Sequence, residues 1–218
     1  GHEADSLFTA IEAQYHSLKV LTDSIPSRQR PTVLFDTQNG SAWYVPGGRS
    51  TMAQLIADAG GRYIFSDNAK SGSVPLSFET VLERGQQADI WLIRYNNSRQ
   101  RMCLPHLGQT YQPYTLFSAY QHGNVYGCNS AELIFYEETP FHPERLLHDY
   151  IKILHPALLP SDTLRYFHKK KKKKNPEHII VNCQTTFINR REKQLVIANC
   201  QTKFAGRREK QLSIVNSH

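Results

Sequence analysis

Pro31-Thr-Val-Leu-Phe-Asp36 and Ala88-Asp-Ile-Trp-Leu-Ile-Arg94 are two apolar runs that predict buried strands of a parallel sheet. Between them lie an aromatic, glycine-rich loop (Ser41-Ala-Trp-Tyr-Val-Pro-Gly-Gly48), a short helix that ends at Gly60-Gly61 and a second helix around Leu76-Ser-Phe-Glu-Thr-Val-Leu82. The alternation of strands and helices predicts an α/β, Rossmann-like fold with a mostly parallel sheet flanked by helices. The segment has neither a nucleophile–base pair nor a phosphate-binding loop, so it indicates a scaffold that holds a ligand.

The flanking segments extend this core in both directions. Residues 4–22 carry apolar side chains at three- and four-residue steps, which predicts an amphipathic helix. Ser50 and Ser77 can each cap a helix, because a hydroxyl accepts hydrogen bonds from free backbone N–H groups. The remaining pattern predicts a strand at 63–65, an irregular loop at 96–109, a short helix at 114–120, a strand at 125–126 and a helix that opens at His142-Pro143.

The basic charge of the chain is concentrated in its C-terminal segment. Residues 1–168 hold 13 Lys and Arg against 16 Asp and Glu, whereas residues 169–218 hold 13 against 3. The excess begins with a lysine run at 169–174, and a 17-residue repeat follows, in which residues 182–195 recur as 199–212. This abrupt change favours a frameshift or read-through at the lysine run, which would make residues 168–218 a non-native tail.

The same tail leaves a rival interpretation open. A lysine run followed by Arg190 and Arg191, with Phe187 and Phe204 interleaved, fits weak, salt-dependent binding to any polyanion. Such binding is non-specific, so we predict no specific nucleic-acid partner. The alternative function is therefore a small α/β enzyme or regulatory domain with a basic, polyanion-binding tail.

Cysteine and histidine spacing predicts no metal site. The four cysteines are Cys103, Cys128, Cys183 and Cys200. They form no CxxC pair, and a disulfide between Cys103 and Cys128 and two free thiols both remain open. His142, His148 and His155 surround the last helix, but the latter two lie about two helical turns apart. We predict no catalytic residue, no metal ligand and no cofactor.

Six motifs stand in an order that carries a family likeness. They are Pro31-Thr-Val-Leu, Trp43-Tyr-Val-Pro-Gly-Gly, Leu55-Ile-Ala-Asp-Ala-Gly-Gly61, Leu76-Ser-Phe-Glu79, Ala88-Asp-Ile-Trp-Leu92 and His142-Pro-Glu-Arg-Leu-Leu-His-Asp-Tyr-Ile-Lys-Ile-Leu-His-Pro156. Over residues 4–167 the chain resembles the periplasmic substrate-binding proteins of ABC importers for iron-siderophores, haem and cobalamin, most of all the lipoprotein-anchored type of Bacteroides-like bacteria. No single motif is specific; their shared order carries the resemblance.

The resemblance implies two α/β lobes joined by one long helix, with the ligand held between the lobes. Residues 4–30 then correspond to the end of the interlobe helix and a turn, and residues 31–167 to the C-terminal lobe. The chain starts with Gly1-His2 and lacks the N-terminal lobe, a signal peptide and a lipid-anchor cysteine. We expect an expression scar or a processed fragment of a parent that is periplasmic or at the cell surface and held to the membrane by a lipid anchor.

The implied activity is capture and delivery, without bond chemistry. The implied partners are an ABC permease, the missing N-terminal lobe and a small metal-chelate ligand. That ligand would be an iron chelate, haem or cobalamin, carried as cargo and not as a cofactor. The protein is expected not to be an enzyme.

The position of the ligand site follows from the sheet itself. Ligands of open α/β sheets bind beyond the carboxyl ends of the strands. Aromatic rings offer flat apolar area to a macrocycle or siderophore, and Arg can pair with its anionic groups. The predicted ligand-binding residues are Asp36, Trp43, Tyr44, Arg94, Tyr95, Asn129 and Tyr136. In the alternative interpretation, Trp43 and Tyr44 anchor their loop on the lobe, and Arg94 and Tyr95 form an exposed strand end.

Glu79 has two compatible interpretations. The resemblance implies that an acidic residue on the outer surface of each lobe docks on basic residues of the permease, and Glu79 matches that position in the Leu-Ser-Phe-Glu motif. A carboxylate in the first turn of a helix is also stabilised by the helix dipole alone.

Overall fold

The computed structural model describes residues 2–171 and two short strands at 187–188 and 195–196, with side chains from residue 5 to residue 171. The chain divides into two compact units, Gly1–Lys174 and Asn175–His218. The predicted boundary at residue 168 therefore precedes the observed one. Apart from two short strands, the repeat lies outside the described residues.

Helices and strands alternate through the first unit. They are α1 (His2–Asp23), β1 (Thr32–Phe35), β2 (Gln38–Asn39), β3 (Ala42–Pro46), α2 (Thr51–Asp58), β4 (Arg62–Tyr63), β5 (Ser73–Leu76), α3 (Phe78–Gly85), β6 (Ile90–Tyr95), α4 (Leu104–Thr110), α5 (Ser118–Gln121), β7 (Val125–Asn129), α6 (Phe135–Glu138), α7 (Pro143–Leu154) and β8 (His168–Lys169). In the second unit, β9 (Phe187–Ile188) pairs antiparallel with β10 (Leu195–Val196).

The main sheet has the order β4-β1-β6-β7-β8. Its first four strands are parallel, and only β8 runs antiparallel, along β7. A second sheet of order β2-β3-β5 is antiparallel. The predicted α/β class with a mostly parallel sheet is confirmed.

Both faces of the main sheet are covered, which explains the continuous apolar runs in its strands. The Phe35 ring meets Tyr150 of α7 edge-on, with ring centroids 6.2 Å apart. On the opposite face the Trp91 ring packs on Phe117, just before α5, at 5.0 Å. The central strand β6 is consequently buried from Ile90 to Ile93.

Helix starts and stops follow the sequence signals. The Ser50 side chain accepts a hydrogen bond from the Ala53 N–H, and Ser77 accepts one from Thr80. Both serines thereby cap the helices predicted from them. Gly60 has φ +73°, which is the left-handed conformation that ends α2 and that favours glycine.

Two predicted loops contain regular secondary structure. The expected loop at 41–48 contains strand β3, in which Trp43 pairs with Leu76 and Val45 with Val74. This pairing is long-range, so the local pattern does not reveal it. The expected loop at 96–109 contains the start of α4, which lacks a polar cap and is marked only by proline near its first turn.

Helix α1 is anchored to the lobe by its C-terminal half only. The Tyr15 hydroxyl donates to the Asp58 carboxylate at 2.7 Å, and the Lys19 ammonium lies 2.9 Å from the same group. Near its start, Leu7 and Phe8 are exposed. The predicted apolar stripe is therefore packed at one end and unpartnered among the described residues at the other.

No helix in the described part of the chain is long and apolar enough to cross a bilayer.

Candidate ligand-binding site

The carboxyl ends of β1, β6 and β7 meet at one edge of the main sheet. Phe35 pairs with Leu92, and Tyr95 pairs with Asn129. Asp36 therefore follows β1 beside the end of β6, and Arg94 lies within hydrogen-bonding distance of it. The parallel sheet brings together residues that are more than fifty positions apart in the sequence.

Asp36 and Arg94 form a two-pronged ion pair at this edge. The Arg94 Nε donates to Oδ1 of Asp36 at 3.1 Å, and its Nη2 donates to Oδ2 at 2.5 Å. The backbone N–H of Arg94 also donates to Oδ1, at 3.0 Å. Asp36 adopts φ +56°, a conformation that Asp tolerates better than most residues. The turn after β1 is thus held by one carboxylate.

The local environment keeps Arg94 charged. Its burial alone would lower the pKa, but the hydrogen bonds and the charge of Asp36 raise the pKa above its ordinary value. Tyr150 and Tyr136 add smaller electrostatic effects in the same direction. The Arg94 guanidinium also lies over the Phe35 ring, 5.6 Å from its centroid.

Tyr136 presents an aromatic surface at the start of α6, in the segment that follows β7. It is 57% exposed, and its ring meets the buried Phe135 ring edge-on, which holds it at the start of α6. Ile134 and Phe141, close in sequence, are also exposed apolar residues. The segment after β7 therefore offers exposed apolar area, although Ile134 and Phe141 are absent from the predicted set.

Trp43 is a correction to the predicted set. Its side chain is fully buried and stacks on Trp91 with ring centroids 5.8 Å apart. Its indole N–H donates to the Phe35 carbonyl at 2.8 Å, and the indole N–H of Trp91 donates to the Asp36 carbonyl at 2.7 Å. A sealed ring offers no surface to a ligand, so Trp43 supports the turn that carries Asp36. The anchoring alternative is the correct one for Trp43.

Tyr44 lies on the other side of β3. Successive side chains of a strand point to opposite faces, and Tyr44 is accordingly 46% exposed while Trp43 is buried. No contact in the described residues joins Tyr44 to the Asp36–Arg94 pair. Its role in ligand binding stays a prediction.

Asn129 connects two loops and is a second correction to the predicted set of ligand-binding residues. It is only 4% exposed. Its Nδ2 donates to the Asn97 carbonyl and to Glu132, each at 2.8 Å, while its Oδ1 accepts from the Asn97 N–H at 3.0 Å. The amide thus ties the loop after β6 to the loop after β7 and has little capacity left for a ligand.

Tyr95 lies next to Asn129 in the sheet. Its hydroxyl accepts hydrogen bonds from the Met102 N–H and the Lys170 ammonium, each at 3.3 Å. Burial raises the pKa of the Tyr95 phenol. Tyr95 therefore faces the β8 side of the sheet, and its part in ligand binding stays a prediction.

Glu79 is exposed in the first turn of α3. Hydrogen bonds from its own backbone N–H and from the Ser77 hydroxyl lower its pKa, so it is a carboxylate at neutral pH. This geometry suits both interpretations of Glu79.

The structure also describes two of the cysteines, and histidines that the sequence analysis considered as metal ligands. Cys103 and Cys128 are free thiols, and burial raises the pKa of Cys128 to about 12. His148 lies 2.8 Å from Asp162, and His155 contacts the Gly60 carbonyl at 3.0 Å. Within the described residues no cluster of three or more His, Cys, Asp or Glu side chains could hold a metal ion.

Comparison with known proteins places the chain in a family. The family described as periplasmic binding protein matches residues 2–132, which is more than half of the 218 residues. The chain belongs to the periplasmic binding protein family. An uncharacterized lipoprotein of Methanocaldococcus jannaschii is 26% identical over 170 residues, which cover 77% of this chain and 38% of that protein. Membership of this family supports an extracytoplasmic location of the protein.

Solved structures show the same fold. A TroA-like periplasmic binding protein, FepB from Veillonella parvula, matches with a TM-score of 0.54 and 16% identity, covering 78% of this chain and 57% of that one. An ABC transporter solute-binding protein from Sulfurospirillum deleyianum matches with a TM-score of 0.57 and 19% identity, over 74% and 48% of the two chains. A protein of an ABC-type Fe3+-hydroxamate transport system from Saccharomonospora viridis matches with a TM-score of 0.51 and 14% identity, over 70% and 49%.

The chain spans about half the length of these solved relatives and less of the lipoprotein. The family consists of solute-binding proteins, which are not enzymes.

Proposed function

We propose that this chain is the C-terminal lobe of the substrate-binding component of an ABC importer. The observation that carries the proposal is the carboxyl edge of the sheet, where the Asp36–Arg94 ion pair lies at the ends of β1 and β6 and the segment after β7 exposes the ring of Tyr136. Membership of the periplasmic binding protein family and the partial coverage of its relatives support it. Ligand held at this edge would be released to a membrane permease, without bond chemistry.

The proposed cargo is an iron-siderophore, haem or cobalamin. A guanidinium suits the carboxylates or phosphate of such molecules, and aromatic area suits their flat or apolar parts. The metal would arrive inside its chelate, since the described residues gather no cluster of metal ligands. One structural neighbour comes from a Fe3+-hydroxamate transport system and another, CeuE of Helicobacter pylori, is described with Ni(II) bound, which supports a metal-chelate cargo.

The parent protein would add the second lobe and a membrane anchor. The exposed first half of α1, with Leu7 and Phe8, is where the chain would continue towards an N-terminal lobe. The relative named a lipoprotein supports a lipid-anchored parent at the periplasmic or outer face of a membrane.

The cargo is tested by titrating the two-lobed parent protein with haemin, cobalamin and ferric siderophores in a calorimeter. We expect one of the three classes to bind. Tyr136→Ala should weaken its binding about fivefold or more, because a buried aromatic contact contributes about 1 kcal/mol or more. Tyr111→Ala, which alters a tyrosine on the α3 side of the molecule, is the control. Failure of all three classes would refute the cargo.

The docking role of Glu79 is tested with the permease in proteoliposomes. Glu79→Gln should reduce the ATPase stimulation that the loaded binding protein produces. Glu83→Gln removes an exposed carboxylate from the same helix and should leave the stimulation unchanged. Equal effects of the two substitutions would assign Glu79 to helix stabilisation alone.

A further inference from the structure

A cavity of about 680 Å³ lies between β8 and the loops that follow β6 and β7. We call it the β8 pocket. Its lining residues are Tyr95, Arg101, Met102, Cys103, Asn129, Glu132, Leu133, His168, Lys169, Lys170 and Lys171. Cavities of 300 to about 1,000 Å³ are the size that holds small organic molecules.

The β8 pocket has an excess of positive charge. Its lining contains one arginine and three consecutive lysines, against the single carboxylate of Glu132. That carboxylate is already engaged, since it accepts from Arg101 at 2.8 Å and from Asn129 at 2.8 Å. No acidic group of the pocket is therefore left to neutralise the lysines.

Lys170 is the most constrained of these cations. It is only 6% exposed, because its backbone N–H donates to the Val125 carbonyl at 2.8 Å and fixes the strand edge over β7. Its ammonium donates to the Tyr95 hydroxyl at 3.3 Å and lies 5.1 Å from the centre of that ring. Within residues 5–171 it has no carboxylate partner.

A buried ammonium without a counter-charge is unfavourable. Burial lowers the pKa of Lys170, and the neighbouring Arg101 charge lowers it further. An anion that entered the cavity would supply the missing counter-charge. Met102 and Leu133 give the cavity an apolar part as well, which suits the carbon skeleton of an organic anion.

We propose that the β8 pocket binds a small organic anion that carries carboxylate or phosphate groups, with Lys170 and Arg101 as its principal cationic contacts. The site differs from the Asp36–Arg94 pair because Lys170, unlike Arg94 and Arg101, has no carboxylate partner among the described residues, and all of its lining residues belong to this chain. The proposal does not depend on the importer function: failure to bind an anion here would leave that function unaffected.

The two methionines of the chain provide a site-specific test. Met102 lines the β8 pocket, whereas Met52 lies on α2, where its sulfur accepts from the Tyr150 hydroxyl at 3.6 Å. In the full chain labelled with ¹³C-methyl methionine, citrate and glucose 6-phosphate would each be titrated while both methyl signals are followed by NMR. We expect a saturable shift of the Met102 signal with at least one of the two anions and no shift of the Met52 signal. The neutral sugar glucose should move neither.

Charge variants complete the test. Lys170→Gln should weaken the binding at least tenfold, and Arg101→Gln, at a residue that is largely exposed and therefore safe for folding, should weaken it several-fold. Lys70→Gln removes the same charge from an exposed position outside the pocket and should have no effect. The proposal is overturned if neither anion moves the Met102 signal, or if Lys70→Gln weakens binding as much as Lys170→Gln does.

Discussion

Two largely buried cations near the main sheet, Arg94 and Lys170, differ in whether the fold supplies a counter-charge. Arg94, after β6, is held by two hydrogen bonds from its guanidinium to the Asp36 carboxylate, and both side chains are about one-fifth exposed or less. Lys170, which follows β8, is more deeply buried, and its ammonium has only the Tyr95 hydroxyl as a hydrogen-bond partner among the described residues. The first cation is compensated within the fold, and the second is not.

The difference separates a cation that has a carboxylate partner within the fold from one that has none among the described residues. The Asp36–Arg94 pair fixes the turn after β1. The lysine, in contrast, is an unfavourable charge that only a further group can offset. The following experiments test whether the two charges differ in this way.

The largest effect is expected from Asp36→Asn. Asn keeps the positive φ of this position but leaves the Arg94 charge without a counter-charge, and removal of one partner from a buried pair costs about 3 kcal/mol. Urea unfolding should show this loss of free energy. Asp67→Asn, which breaks the exposed pair with Arg84, should leave the midpoint unchanged. Equal results for both substitutions would mean that the Asp36–Arg94 pair does not stabilise the edge.

A smaller loss is expected from Asn129→Ala. The substitution leaves the Asn97 N–H and carbonyl without their partner in a part-buried loop, at a cost of about 2 kcal/mol. Asn96→Ala, at an exposed neighbour with one side-chain bond to Ser130, is the matched control. Asn129 connects the loops of the two regions, so a negligible loss would show that these loops are held separately.

Lys170→Met should act in the opposite direction. Methionine keeps the packing of the stem and removes an uncompensated charge, which should raise the free energy of unfolding by about 1 kcal/mol. Lys70→Met, at an exposed position, should not change it. A clear loss of stability in Lys170→Met would show that the ammonium has a compensating partner after all.

The smallest expected effect is the pH dependence of the difference in unfolding free energy between Lys170→Met and the wild type. The pKa of Lys170 is lowered in the folded protein, so the unfolded chain binds more protons as the pH approaches the ordinary lysine pKa of about 10.4. Wild-type stability therefore rises with pH relative to Lys170→Met. The gap between the two should narrow by less than about 1 kcal/mol between pH 7 and pH 10. A gap that widens with pH contradicts the assigned shift.

The sequence predicts the parts of this fold that depend on local signals. Ser50 and Ser77 mark helix starts by their hydroxyls, and the apolar runs mark β1 and β6. Because parallel strands end at the same edge, the proximity of Asp36 and Arg94 also follows from the strand order alone.

The parts that escape prediction depend on distant partners. Trp43 looks like a loop aromatic until β3 is paired with β5, which buries it against Trp91. Asn129 looks available until the loop at Asn97 folds over it. Lys170 belongs to a run that composition assigns to a tail, and only the antiparallel pairing of β8 with β7 reveals that it follows a strand of the sheet and bonds to Val125.

The central proposal is that the carboxyl ends of β1, β6 and β7 would carry the cargo of the proposed two-lobed parent protein. Hydrogen exchange of that protein with and without its bound chelate tests this claim most directly. We predict that ligand slows exchange in residues 36–40, 94–97 and 129–136 and leaves α3 and α7 unchanged. Protection confined to other segments, with these three unaffected at saturation, would contradict it.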